Sequence, residues 1–226
     1  MKDHLLDNPI WLALISGNKL MAEGAENVKY FPADIAPFAG LKDFDQDSFK
    51  LLFDLIPKER ELVMITAADI EIPPIWNISR KMTLFQMICN HPIKQTEVNE
   101  KMVLLKRRHV PKMQDLTKLT NPGPFSRRTI EFGNYTGIFS GRNLVAMAGQ
   151  RLHPDPYVEI SAVCTHPDHA GKGYGTALIQ KQVHDVLNAG SIPFLHVRES
   201  NEPAIKLYKS LGFEIRCAMN LNAIQK

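Results

Sequence analysis

The chain has 226 residues, 44% of them hydrophobic, which is enough for one large domain or two small lobes with apolar cores. Lysine and arginine number 27 and aspartate and glutamate 24, so the formal charge of +3 gives no strong field to attract nucleic acid or an anionic membrane. The basic runs at residues 106–109 (KRRH) and 127–128 (RR) have no interleaved aromatic residues, and we predict that neither binds nucleic acid.

Cysteine usage and hydropathy predict the compartment. Cys89, Cys164 and Cys217 are widely spaced and odd in number, which argues against a disulfide framework and for a reducing environment. The apolar run at residues 10–15 (IWLALI) is shorter than the core of a signal peptide, and no stretch has the length needed to span a bilayer. We therefore expect a cytoplasmic protein with no membrane partner.

Few helices and strands are predicted in the first part of the chain. Apolar periodicity indicates helices over residues 8–16 and 48–55 and a strand over residues 61–66 (ELVMIT). A polar connector at residues 90–100 (NHPIKQTEVNE) follows, so we place a domain boundary near Glu97. Residues 1–96 are then an N-terminal lobe of unassigned role, and residues 97–226 are the second domain.

The second part of the chain has clearer patterns. They predict strands over residues 102–105, 135–139, 144–151, 157–165 and 193–197, a helix over residues 111–119, and a helix that ends at about Asn188. Gly190 is a plausible stop for that helix, and Asn201 is a good N-cap for the last one. A final strand is expected to start at Phe213.

A glycine-rich turn at residues 167–175 (PDHAGKGYG) lies between a predicted strand and a predicted helix. Glycines at alternate positions let a ligand approach the main chain, and the positive end of a helix dipole favours phosphate oxygens. A dinucleotide fingerprint would need glycine in place of Thr176 or Leu178, and the P-loop pattern is also absent. Two readings stay open from the turn alone, a pyrophosphate site of another family and a simple tight turn.

The stretch from residue 159 to residue 213, with EISAVCTHPDHAGKGYGTALI and then PFLHVRESNEPAIKLYKSLGF, resembles the GNAT superfamily of acyl-CoA-dependent N-acyltransferases. The resemblance implies an α+β fold with a mixed, mainly antiparallel sheet flanked by helices. The PGPF at residues 122–125 resembles a two-lobed subgroup with a smaller, degenerate N-terminal α/β lobe. The implied activity moves an acetyl group from acetyl-CoA to a primary amine of a small molecule or peptide, without a metal. A homodimer stays open.

The resemblance also assigns the residues that bind the cofactor. The pyrophosphate turn of the family falls on Ala170, Gly171, Lys172, Gly173, Tyr174, Gly175 and Thr176. Ala170 departs from the glutamine or arginine usual at the first position, so we expect the backbone to provide more of the binding. By the same resemblance, Val163 and Thr165 align the pantetheine arm through main-chain groups, and Asn201 lies beside the cofactor.

Two residues are candidates for catalysis. A lysine-like amine has a pKa of about 10.4 and must lose a proton before it attacks a thioester. The family often places a glutamate on the strand before the glycine turn, which points to Glu159 as the general base, and twofold spacing predicts that Glu159 shares a face with Val163. Tyr208 matches the family's general acid for the leaving thiolate. The alternatives are a surface charge for Glu159 and a core aromatic for Tyr208.

Other sites and functions were weighed against this one. Cys164, His166, Asp168 and His169 lie close in sequence, but their spacing matches no standard zinc site, and we predict no metal. A non-catalytic acyl-CoA-binding module is the second functional hypothesis. Arg127 and Arg128 are candidates for gripping an acceptor carboxylate, which would favour an amino-acid-like substrate.

Overall fold

A computed structural model of the protein describes residues 4–93 and 101–226. In that part of the chain the strands are β1 (Glu23–Gly24), β2 (Val28–Tyr30), β3 (Ala39–Leu41), β4 (Glu61–Thr66), β5 (Asn77–Cys89), β6 (Met102–Leu104), β7 (Thr136–Ser140), β8 (Asn143–Gln150), β9 (Tyr157–Thr165), β10 (Ile192–Arg198) and β11 (Phe213–Gln225). The α-helices are α1 (Pro9–Ile15), α2 (Gln46–Leu55), α3 (Val110–Thr120), α4 (Tyr174–Asn188) and α5 (Glu202–Ser210).

The main sheet has eight strands in the order β4-β11-β5-β10-β9-β8-β7-β6. The β9–β10 pair is parallel, and the six other neighbouring pairs are antiparallel. Helix α3 packs in an apolar cluster with Ala162 and Cys164 of β9, whereas α4 packs with Ala146 and Ala148 of β8. The predicted α+β fold, with a mainly antiparallel sheet flanked by helices, is confirmed.

Strand β5 is the main element that the sequence analysis did not predict. It pairs with β11 along almost its whole length and with β10 at its C-terminal half, so it lies inside the sheet. Its first part is largely exposed and carries polar residues, which hides the alternation of a buried strand. Through β4 and β5, residues that precede the proposed boundary share one sheet with β10 and β11. Glu97 itself lies outside the described residues, and the division into two domains stays a prediction.

The segment before β4 forms a small layer against the sheet. Strands β1 to β3 make a three-stranded antiparallel sheet, and they share an apolar cluster with α2 and the end of β11. Leu6, Ile10 and Phe31 belong to another cluster, which contains Phe194 of β10 and Met219 of β11. The first residues are thus anchored directly on the strands that form the cleft described below. Across residues 4–93 and 101–226, no helix combines the length and apolar character that crossing a membrane requires.

Strands β9 and β10 separate after a short paired segment. Their register runs from Tyr157 opposite Ile192 to Glu159 opposite Phe194, after which β9 continues beside β8 and β10 beside β5. In β9, Ala162 has a φ of 51°, and the pairing with β8 shifts by one residue there, which is a β-bulge. The extra residue reverses the alternation of side chains. The prediction that Glu159 and Val163 share a face is therefore wrong.

Candidate active site

A cavity of about 690 Å³ opens where β9 and β10 separate. Its walls are formed by Ile160 to Val163 of β9, His196 to Arg198 of β10, and the end of α3 with the following loop, residues 120–124. Three side chains predicted from the family resemblance, Val163, Asn201 and Tyr208, line it. The loop contains the start of the PGPF motif, so this motif borders the cavity.

The glycine turn follows the C-terminal end of β9, outside the residues that line the cavity. Gly171 and Gly173 have φ angles of 76° and 78°, a left-handed conformation that only glycine adopts readily. A Cβ at either position would meet no protein atom within 4 Å, so open space faces both residues. Gly173 is the N-cap of α4 and has no side chain to cap the helix. This helix end therefore suits a phosphate group that approaches the main chain closely.

The remaining residues of the predicted turn differ in exposure. Ala170 and Lys172 are exposed, and Lys172 Nζ lies 3.4 Å from His169 Nδ1. Tyr174 is buried, and its ring stacks on the His169 ring with centroids 6.4 Å apart. Gly175 and Thr176 are half-buried in the first turn of α4.

Thr165 joins the turn to the cavity. It is the last residue of β9, and its Oγ1 lies 3.9 Å from the position that a Cβ on Gly175 would take. Two residues earlier, Val163 lines the cavity. Val163 and Thr165 thus place β9 next to both the cavity and the first turn of α4.

Asn201 and Tyr208 belong to α5, on the opposite wall. Asn201 is the N-cap of this helix, where its Oδ1 accepts a hydrogen bond of 3.3 Å from the Ala204 N–H, as the sequence predicted for an N-cap. Tyr208 packs edge-on against Phe213 with ring centroids 5.9 Å apart, yet it also lines the cavity. Burial raises the pKa of the Tyr208 hydroxyl to about 12.

Glu159 lies beneath the cavity and has no exposed surface. Its carboxylate accepts hydrogen bonds of 2.6 and 2.8 Å from Arg151 Nη2 and Nε, and Oε1 lies 2.7 Å from His196 Nδ1. Although burial alone would raise it, the pKa of Glu159 is held far below its usual range by the Arg151 charge, the Arg151 hydrogen bonds and His196. A carboxylate this strongly held in its ionised form is a weak proton acceptor. The geometry argues against the general-base assignment and against a surface charge.

His196 is a cavity residue that the sequence analysis missed. Its Nε2 lies 3.0 Å from Gln86 Nε2, while Gln86 Oε1 accepts a hydrogen bond from Arg216. Because the amide nitrogen is then the donor, His196 Nε2 accepts and Nδ1–H donates to Glu159. The available sequence signal was a histidine within the apolar strand sequence PFLHV.

Two alternative sites are not supported by the geometry. Arg127 and Arg128 lie away from the cavity, where both contact Asp34 at 3.3 Å and Arg128 also contacts Glu131 at 2.8 Å. Neither residue lines the cavity, so the suggested role in gripping an acceptor carboxylate is not retained. Cys164 is buried against α3, and no group of three metal-ligating side chains occurs within the described residues.

The whole chain is similar to a solved structure. A crystal structure of a GNAT-family protein from Novosphingobium aromaticivorans is 31% identical in sequence, with a TM-score of 0.91 and 99% of each chain covered. The chain belongs to the GNAT family. A GCN5-related N-acetyltransferase from Kribbella flavida shares the fold, with a TM-score of 0.66 over 97% of this chain and 95% of that one at 12% identity.

Sequence comparisons match parts of this GNAT protein. A family model described as FR47-like protein matches residues 135–220. A mycothiol acetyltransferase from Thermomonospora curvata is 39% identical over 72 residues, which is 31% of this chain and 24% of that protein. An N-alpha-acetyltransferase RimI from Mycobacterium tuberculosis is 33% identical over 98 residues, which is 41% of this chain and 60% of that protein. The chain thus matches about a quarter of the first relative's length and three-fifths of the second's.

Proposed function

We propose that the protein is an N-acetyltransferase that uses acetyl-CoA as acyl donor. The observation that carries this proposal is that β9 both lines the cavity beside Tyr208 and leads into the glycine-rich N-terminus of α4. The space in front of Gly171 and Gly173 fits a pyrophosphate, and Thr165 and Val163 follow in the direction of the cavity. The names of the relatives support an acetyl group.

In the proposed reaction, acetyl-CoA supplies an acetyl thioester. The neutral acceptor nitrogen forms an amide bond with the acetyl carbon as the carbon–sulfur bond breaks. The nitrogen loses one proton to water, and the leaving sulfur gains one. The Tyr208 hydroxyl, with its pKa of about 12, remains protonated near neutral pH and is suited to donate the proton that the leaving sulfur gains. Asn201 shapes the same wall by fixing the start of α5.

For Glu159 we assign a positioning role in place of the general base. It anchors Arg151 and His196, both of which line the cavity, through three short polar contacts. Such a buried ionic group holds its partners in one geometry, since moving Arg151 would leave a buried charge unpaired and moving His196 would remove a polar contact of the carboxylate.

A second function is favoured by one departure from the family pattern. Ala170 at the first position of the turn offers no basic or amide side chain for the pyrophosphate, which is compatible with an acyl-CoA-binding module that has lost catalysis.

We also propose that the protein is cytoplasmic, because its three cysteines are free thiols.

The test is the release of free CoA thiol from acetyl-CoA in the presence of panels of primary amines, amino acids and peptides. The proposal expects acceptor-dependent release together with acetylated acceptor detected by mass spectrometry. Binding of acetyl-CoA without release for any acceptor favours the non-catalytic module. No binding of acetyl-CoA contradicts both functions.

A further inference from the structure

The charged side chains that line the described cavity are all basic. Arg80, Arg151 and Arg198 line it, and no acidic side chain among the described residues does. Arg151 is neutralised from below by Glu159. Arg80 Nη2 lies 3.7 Å from Glu61 Oε1, a pair whose side chains are 46% and 44% exposed and which therefore compensates little. Arg198 is exposed and makes no ion pair within residues 4–93 and 101–226.

The two remaining cations lie at the same end of the sheet. Arg198 is the last residue of β10 and lies opposite Leu84 of β5, and Arg80 is four residues from Leu84 toward the start of β5. The cavity also has an apolar floor, which consists of Val63, Ile65, Met82, Leu84 and Leu221. A cationic rim thus borders an apolar surface, at a distance from the Glu159 network.

We propose that the acceptor amine carries a carboxylate, which Arg198 and Arg80 bind, and an apolar body, which lies on this floor. A guanidinium matches the planar carboxylate with paired hydrogen bonds, and such charge-assisted bonds are stronger than neutral ones. The same positive charge disfavours polyamines and other acceptors with several cationic groups. This inference rests on the proposed acetyltransferase function and names the acceptor class of the same site. The carboxylate takes no part in the bond changes and only orients the amine.

The first experiment compares acceptors that differ in the group beside the amine, each at the same concentration of neutral amine, because this group also changes the pKa of the amine. Leucine, leucinamide and 3-methylbutylamine share the amine and the apolar body. A hydrogen-bonded charge is expected to raise kcat/KM for leucine about tenfold to hundredfold over the other two, acting mainly on KM. A further pair, β-alanine and aminoethyl phosphate, distinguishes a carboxylate site from a phosphate site, and preference for the phosphate would overturn the proposal.

The second experiment removes the cations. Arg198→Ala and Arg80→Ala are expected to raise KM for leucine and to abolish its advantage over leucinamide, with kcat close to wild type, and Arg198→Lys is expected to restore part of it. Arg142→Ala, at an exposed residue of the β7–β8 turn outside the cavity, is the matched control and is expected to keep the advantage. The thermal shift with acetyl-CoA is expected to be unchanged in all four variants.

A binding measurement separates this inference from the proposed function. Calorimetry on the CoA-saturated protein is expected to show tighter binding of leucine than of 3-methylbutylamine, and loss of that difference in Arg198→Ala. Equal affinity, or acetylation of all three amines with equal kcat/KM, would overturn the carboxylate site and leave the acetyltransferase proposal intact. A protein that binds neither acetyl-CoA nor these acceptors refutes both.

Discussion

The Glu159 carboxylate is completely enclosed; its charge is balanced by the Arg151 guanidinium, and the His196 ring contacts it at 2.7 Å. Arg151 is itself almost buried, with 11% of its side chain exposed, so each of the two charges depends on the other for compensation. A buried ion pair of this kind contributes little net stability when intact, but removing one partner is costly. Glu159 therefore bears on both folding and the shape of the cavity wall.

We predict that Glu159→Gln lowers the free energy of unfolding by about 3 to 5 kcal/mol, because Arg151 loses its countercharge in a buried site. Urea denaturation at neutral pH measures this change. Asp54→Asn is the control, since the Asp54–Lys50 pair is more than half exposed on both sides and its loss is expected to cost at most about 1 kcal/mol. Equal small changes in both variants would contradict the paired state of Glu159.

The same variant is expected to change the pH dependence of stability. The folded pKa of Glu159 lies below its ordinary value of 4.5, so its contribution is fully present above pH 4.5 and is lost as the pH falls toward the folded value. The difference in unfolding free energy between wild type and Glu159→Gln should narrow as the pH is lowered from 4.5. Enzymatic activity provides a second readout, because a lost general base is partly rescued at high pH and a lost positioning residue is not.

The variant Tyr208→Phe distinguishes a catalytic role of Tyr208 from a packing role. Tyr208→Phe keeps the ring against Phe213 and is expected to slow acyl transfer about 10²- to 10⁴-fold, since a general acid is lost while the affinity for CoA stays near wild type. The acyl-transfer step is measured by pre-steady-state kinetics. Tyr157→Phe, at a tyrosine outside the cavity, should keep the wild-type rate. A normal rate in Tyr208→Phe would leave this residue as a wall of the site.

At the scale of elements, the turn between β9 and α4 combines a left-handed backbone with an open approach. We predict that Gly173→Asp weakens acetyl-CoA binding severely in a folded protein, because a side chain and a negative charge then face the pyrophosphate. Gly141→Asp is the matched control, at an exposed turn with a φ of 57° and equally open space. Calorimetric titration with acetyl-CoA measures both variants, and equal affinities would show that the pyrophosphate binds elsewhere.

The proposed acetyl-CoA site involves α4, β9 and α5, and the cavity is also lined by strands from both halves of the chain. Acetyl-CoA is therefore expected to raise the melting temperature of the entire fold in one transition. At a hundredfold excess over the dissociation constant, ligand binding adds about 2.7 kcal/mol to the free energy of unfolding. Differential scanning fluorimetry with NAD and ATP at the same concentration is the control, and we expect no shift with either. A shift of equal size with all three would contradict a site specific for acyl-CoA.

The structural features that the sequence predicted correctly are those that depend on residues close together in the chain. The strands at residues 61–66 and 157–165 have their predicted bounds, and the N-cap at Asn201 and the strand start at Phe213 were also predicted correctly. Apolar periodicity, glycine conformation and helix capping act within one or two turns of chain, so a single sequence displays them. The glycine turn and the family resemblance follow from the same local signals.

The ion-pair partners of the buried charges, and the point at which β9 and β10 separate, are visible only in the tertiary structure. Arg151 and His196 are 8 and 37 residues from Glu159, and their convergence depends on the register of β8, β9 and β10, which no local pattern encodes. The bulge at Ala162 reversed the predicted face of β9, and β5 joined the sheet through partners more than a hundred residues away. Arg80 and Arg198 share the cavity rim for the same reason. Long-range pairing sets which side chains face a common cavity, and so the composition of the site emerged only from the fold.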